Sequence, residues 1–226
     1  MRFKSNSVLL ALVAVFAMSA VAVASASAAL PEFKPVPAKK KFTSTSGVVK
    51  WTMGTESFTC SKSTTAGEVA GASTLGKVVI KFTGCKAIIK GTEECSINSS
   101  SPLGAAGEVI TKSLKGELGT VKTSEAASGV GLLLEQEVKG TGITTFANVS
   151  CLPESKLTGS LAGEIVTVGK KQATNKLVFG VTSGNQNISS ITVKSGKQAP
   201  ELEAWGTTLG VEGSDEMSFE EALEVT

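Results

Sequence analysis

Histidine and tyrosine are absent from this chain, and its one arginine, Arg2, stands at the very start. Without histidine there is no Ser-His-Asp or Cys-His catalysis, no imidazole metal ligand and no side chain that ordinarily titrates between pH 5 and 8. Without arginine beyond Arg2 there is no planar fork to grip phosphates in two parallel hydrogen bonds, and aromatics make up only 5% of the chain. Specific nucleic-acid readers lean on that fork and on stacking platforms, so no nucleic-acid partner is expected. No glycine-rich phosphate cradle occurs, and no serine is followed three residues later by lysine, which removes the nucleophile pair of penicillin-binding enzymes. Neither a cofactor nor a metal is expected.

What is present begins with an export signal. Arg2 and Lys4 give a positive start, an apolar run follows from Val8 to Val23, and Ala26-Ser27-Ala28 offers the small side chains that signal peptidase accepts. The run is shorter than the about 20 residues of a spanning helix. Residues 1–29 are therefore read as a signal peptide and the rest as secreted, with no membrane span after cleavage. Removing Arg2 and Lys4 leaves twenty lysines against twenty acids, so the processed chain is formally neutral. Lysines crowd its start (Lys34, Lys39, Lys40, Lys41, Lys50), and acids load its end from Glu201 to Glu224, Asp215 among them. These are read as solvated faces.

At 41% hydrophobic and 19% charged, the 226 residues carry enough apolar surface to fold as one domain. Val49, Trp51 and Met53 alternate with Lys50 and Thr52, Val78, Ile80 and Phe82 alternate with Val79 and Lys81, and Leu177-Val178-Phe179 is a short apolar run. Twenty-four glycines punctuate such runs. The expectation is an all-β domain, a single sandwich or barrel of short strands, over 47–226. Residues 30–46, with Pro31, Pro35, Pro37 and a lysine triplet, read as an extended leader before it. Near the C-terminus, Gly213-Ser214-Asp215 reads as the turn of a final hairpin, with Trp205 as a core anchor.

Four cysteines, Cys60, Cys85, Cys95 and Cys151, imply two disulfides in an exported chain. Of the three pairings, Cys85–Cys95 across a short hairpin and Cys60–Cys151 between distant strands is favoured. Their spacing does not suit zinc. An internal echo, Ala66-Gly67-Glu68-Val69, Ala106-Gly107-Glu108-Val109, Ala162-Gly163-Glu164-Ile165 and more loosely Gly116-Glu117-Leu118, reads as turns entering strands with the glutamate in water. Its functional alternative gathers Glu68, Glu108, Glu117 and Glu164 into a carboxylate pair for glycoside cleavage or into an acidic cation site.

The order Ala29-Leu30-Pro31-Glu32, a strand closing on Cys60, Lys81-Phe82-Thr83-Gly84-Cys85, Cys95, Gly107 to Leu118, Gly131 to Leu134 and Phe146 to Cys151 resembles a set of uncharacterised secreted proteins from soil actinobacteria. The resemblance implies a bacterial, Gram-positive-type envelope or the medium as destination. It also weakens the Asn-x-Ser sequons at Asn98, Asn148 and Asn187. It implies no activity. The function expected is a non-enzymatic structural or binding module, its partner a cell-wall polymer or a protein. The alternatives are a carboxylate-only polysaccharide hydrolase and a small-ligand carrier, the latter requiring an apolar cavity of roughly 300 Å³ or more.

Overall fold

The computed structural model describes residues 29–36, 39–89, 93–123, 129–148 and 152–226, and these form strands and turns with no helix. The expected signal peptide, apart from Ala29, lies outside the described residues. In chain order the strands are β1 (Phe33–Lys34), β2 (Lys40–Ser46), β3 (Val49–Met53), β4 (Glu56–Cys60), β5 (Lys62–Val69), β6 (Thr74–Thr83), β7 (Lys86–Ile89), β8 (Glu93–Ser101), β9 (Glu108–Ile110) and β10 (Leu114–Thr123). They continue with β11 (Gly129–Gln136), β12 (Thr144–Asn148), β13 (Ser155–Ile165), β14 (Gln172–Phe179), β15 (Val181–Thr182), β16 (Asn185–Gln186), β17 (Ile188–Val193), β18 (Gly196–Gln198), β19 (Leu202–Ala204) and β20 (Thr207–Val225).

Followed from neighbour to neighbour, the antiparallel pairings close on themselves twice. One ring runs β10, β11, β13, β14, β20, β2, β5, β6 and back to β10. The other runs β20, β3, β4, β7, β8, β12, β13, β19 and back to β20. Two strands belong to both: Ser155–Gly159 of β13 and 207–212 of β20 serve the second ring, and their later residues serve the first. The result is two barrels that share a pair of long strands, and closure leaves few open sheet edges. A hairpin of β17 and β18 packs on the outside of the first barrel, where Ile188, Ile191 and Val193 cover Val121, Leu133 and Ala162.

Period-two alternation sends one face of each strand inward. Val78, Ile80 and Phe82 are buried while Val79 and Lys81 face out, as expected from the sequence, and Val49 and Trp51 are likewise buried. The barrel interiors are filled by such side chains, and the outward positions carry Lys, Glu, Ser and Thr, the reverse of a lipid-facing barrel. No helix among the described residues is long and apolar enough to cross a membrane.

Four expectations are corrected. Cys60 is bonded to Cys85, which rules out both favoured pairings. The cause is register: β5 and β6 form a hairpin with Lys62 opposite Thr83, and two residues further along the same register Cys60 faces Cys85. The hairpin expected between Cys85 and Cys95 does form, with Ala87 opposite Cys95, but it does not join the two cysteines. Among the described residues no cysteine is free, and Cys151 lies outside them.

The stretch expected as a leader instead supplies β1 and β2. Phe33 and Phe42 are core residues, and β2 lies between β5 and β20 in the first barrel wall. Its alternation of Phe42, Ser44 and Ser46 with Thr43 and Thr45 is a strand pattern masked by lysines and hydroxyls.

Gly213-Ser214-Asp215 is no turn. Leu209, Val211, Asp215, Met217 and Phe219 alternate inward along one 19-residue strand, and the chain reverses earlier, at Trp205-Gly206. Trp205 itself is half-buried and stacks on Phe146 with ring centres 5.2 Å apart.

The Ala-Gly-Glu echo marks a turn at Gly107 alone, where φ is 76°. Gly67, Gly116 and Gly163 lie inside strands and face the barrel interior. A Cβ on Gly67 would stand 2.6 Å from the Phe42 ring, and one on Gly163 2.8 Å from the Phe179 ring. The echo is a packing device that alternates small and large residues around a barrel.

Candidate functional site

The four glutamates are not gathered. Glu68 on β5 pairs with Lys77 at 3.2 Å, and Glu108 on β9 pairs with Lys81 at 2.7 Å. The Lys81 ammonium, hydrogen-bonded to Glu108, holds that carboxyl below its ordinary range. Glu117 on β10 accepts the Lys194 backbone N–H at 2.8 Å and the Ser195 hydroxyl at 3.5 Å. Glu164 is exposed on β13. A retaining or inverting glycosidase needs two carboxyls across one cleft, and these four belong to separate surface contacts. Nor do three His, Cys, Asp or Glu side chains gather to hold a metal ion among the described residues.

The acidic residue in an unusual setting is Asp215, expected from the sequence among solvated acids but buried in the structure. Its signal was present: Asp215 is the sole aspartate of the chain, and it sits in phase with the inward residues Met217 and Phe219. The β5–β2–β20 register aligns Ser63, Ser46 and Asp215 in one row across the first barrel wall. Asp215 is 7% exposed. Ser63 Oγ donates to its Oδ1 at 3.2 Å and Ser44 Oγ to its Oδ2 at 3.5 Å. Ser46 Oγ lies 2.9 Å from Ser63 Oγ and accepts the Ser63 backbone N–H at 2.9 Å. Burial pushes the Asp215 carboxyl above its ordinary range, and the hydroxyls of Ser63, Ser44 and Ser46 pull it partly back.

Outside this row, β20 pairs with β2 as far as Asp215 and with β3 from Glu212, so Gly213 and Ser214 fall between the two pairings. On the outer face of β2, β20 and β14 lies a groove of about 570 Å³ lined by hydroxyls and amides, among them Thr45, Ser46, Gln172, Thr174, Asn175 and Ser214. Lys176 and Glu216, side by side in register, line it as well. A second recess of about 540 Å³ shares Gly47, Lys176 and Ser214 with the first and adds Val48, which is 67% exposed, and Val178. By contrast, the cavities lined by barrel-interior side chains measure about 10 Å³ each. That is room for a water molecule and far below what a carrier's ligand requires. Searches of protein-family models, curated proteins and solved structures found no match to this chain.

Proposed function

We propose that this chain is a secreted, non-enzymatic module of the cell envelope or extracellular space that binds a hydroxyl-rich wall polymer along the groove between β2, β14 and β20. The observation that carries this reading is the contrast between filled barrel interiors and an outer groove lined by short polar side chains. Hydroxyls and amides on rigid strands suit the alternating donors and acceptors of a sugar chain, and the adjoining Val48 offers an apolar contact for a ring face. The Cys60–Cys85 disulfide fits an oxidising compartment, and the resemblance to secreted actinobacterial proteins points to the same place. No aromatic ring lines the groove, so each contact is weak and binding depends on repeats along the polymer.

The test is co-sedimentation of residues 30–226 with purified, protein-free cell walls from an actinobacterium. The protein is expected in the pellet, and the double substitution Thr45→Ala and Thr174→Ala, at two exposed groove positions, is expected to release it. Recovery in the supernatant at the level of an unrelated β-protein, or binding that ignores the substitutions, overturns the reading.

A second disulfide, Cys95–Cys151, belongs to the same proposal. Cys95 is oxidised although Cys60 and Cys85 are bonded to each other. Asn148 lies opposite Ile97, two residues from Cys95 on β8, and precedes Cys151 by three residues in the sequence. A peptide map of the unreduced protein should contain both linked pairs, and a free Cys151 peptide would refute the second.

A further inference from the structure

The interior of the first barrel holds an atom without a partner. Thr65 is 7% exposed, and its Oγ1 makes no hydrogen bond. It lines the same cavity of about 10 Å³ as Ser44 and Asp215, whose remaining walls are apolar. The register sets Thr65 opposite Ser44, one inward step along from the Ser63–Ser46–Asp215 row. A buried hydroxyl left unpaired costs about 1–3 kcal/mol. The space fits one water, which needs two to four polar partners, and three surround it. A calcium ion would require six to eight oxygens.

The row leads outwards as well. Asp215 Oδ1 takes the Ser63 hydroxyl, Ser63 Oγ lies next to Ser46 Oγ, and Ser46 lines the outer groove. The Ser46 hydroxyl has one proton and two acceptors at 2.9 Å, Ser63 Oγ inside and the Gly47 carbonyl outside. Turning between them connects the barrel interior to the groove.

We propose that Asp215, Ser44 and Thr65 form a site inside the first barrel that holds one water molecule and takes up one proton, delivered from the groove through the hydroxyls of Ser46 and Ser63. In the uptake step a hydronium ion in the groove protonates Ser46 Oγ and leaves as water. Ser46 passes its own proton to Ser63 Oγ, and Ser63 passes its own to Asp215 Oδ1. Each hydroxyl ends with one proton and the carboxylate becomes a neutral acid. Burial favours that neutral form.

The charged groups on the surrounding strands do not compete for this role. Lys41 of β2, Lys62 of β5, Lys176 of β14 and Glu216 of β20 occupy outward positions and are exposed. Glu68 of β5, Lys81 of β6 and Glu135 of β11 are tied into surface ion pairs with Lys77, Glu108 and Lys115, and Lys40 of β2 is paired with Glu221.

Because Asp215 is the sole aspartate, protein grown with carboxyl-labelled 13C-aspartate gives one side-chain carboxyl resonance, and its titration reads this site alone. The expected midpoint lies above that of an aspartate peptide. A long-lived water should show contacts to the β-proton of Thr65; Thr65→Val should lose it, and Thr65→Ser should keep it, read at the serine β-protons. Ser46→Ala should slow exchange between the two protonation forms, broadening the resonance at the midpoint, while Thr45→Ala leaves it sharp. An ordinary midpoint, no bound water, or Ser46→Ala exchange as fast as wild type overturns the proposal. So does a midpoint that falls when sodium replaces tetramethylammonium at constant ionic strength, since a cation would then be the occupant. All these readouts are independent of wall binding, so failure of the groove reading leaves them intact.

Discussion

Asp215 occupies a position where the strand pattern calls for an apolar side chain, and its fold-raised protonation equilibrium has a definite consequence for stability. The neutral form is favoured in the folded barrel and the ionised form in the unfolded chain. Below the unfolded value, near 3.8, both states are protonated and no penalty exists. As pH rises through the window between the unfolded and folded values, the unfolded state ionises first and stability falls; above the window it stays lower. This group therefore makes the fold more stable in acid, the reverse of a salt-bridged carboxylate such as Glu108, whose contribution is lost as pH falls. Replacing Asp215 by Asn should raise the urea midpoint at pH 7, and this gain over wild type should shrink as the pH falls from 7 to 3. The comparison cancels the surface pairs, which both proteins keep. A wild-type minus variant difference that does not change with pH would contradict the burial argument. The same residue shows why a site can hide in a sequence: its neighbours Glu212, Glu216, Glu220 and Glu221 are solvated, and only the phase of the alternation separates it from them.

At the scale of the strand, alternation makes β3 and β6 legible, because Val, Ile, Phe and Trp mark the inward face, and a short apolar run marks β14. Alternation fails where the inward residues are small or polar. In β2 the inward positions are Phe42, Ser44 and Ser46, and in β5 they are Ser63, Thr65, Gly67 and Val69. These look like loop chemistry until the facing residues are known. Gly67 is inward because the Phe42 ring fills the space its side chain would take. Gly67→Ala should therefore lower stability by about 1–3 kcal/mol through overpacking. Gly47→Ala, where nothing lies within 4 Å of the added carbon, should leave stability unchanged or slightly raised. Chemical denaturation with a constant slope checks both. Equal effects at the two glycines would show that chain entropy, and not the barrel interior, sets the cost.

For the whole molecule, the decisive feature is that β13 and β20 run through both barrels. Gly159, at a φ of 96°, marks the bend where β13 changes barrel. A barrel cannot open without breaking a strand that the other barrel also uses, so the two should unfold together. Calorimetry is expected to show one transition whose van't Hoff and calorimetric enthalpies agree. Two resolved transitions would mean that the shared strands yield between the barrels.

The sequence by itself determined the class of the fold and that no imidazole takes part in it. Periodicity and turn residues are local, and the absence of histidine holds wherever the chain goes. It also marked out the cysteines, Trp51 and the alternating strands as structural. The tertiary structure decided everything that depends on register between distant segments: which cysteine meets Cys60, which barrel each strand joins, and that Ser44, Ser63, Thr65 and Asp215 share one interior. Those contacts join residues up to 171 positions apart. A one-residue slip in any pairing would turn them outwards, so they follow from the closure of the barrels and from no local signal.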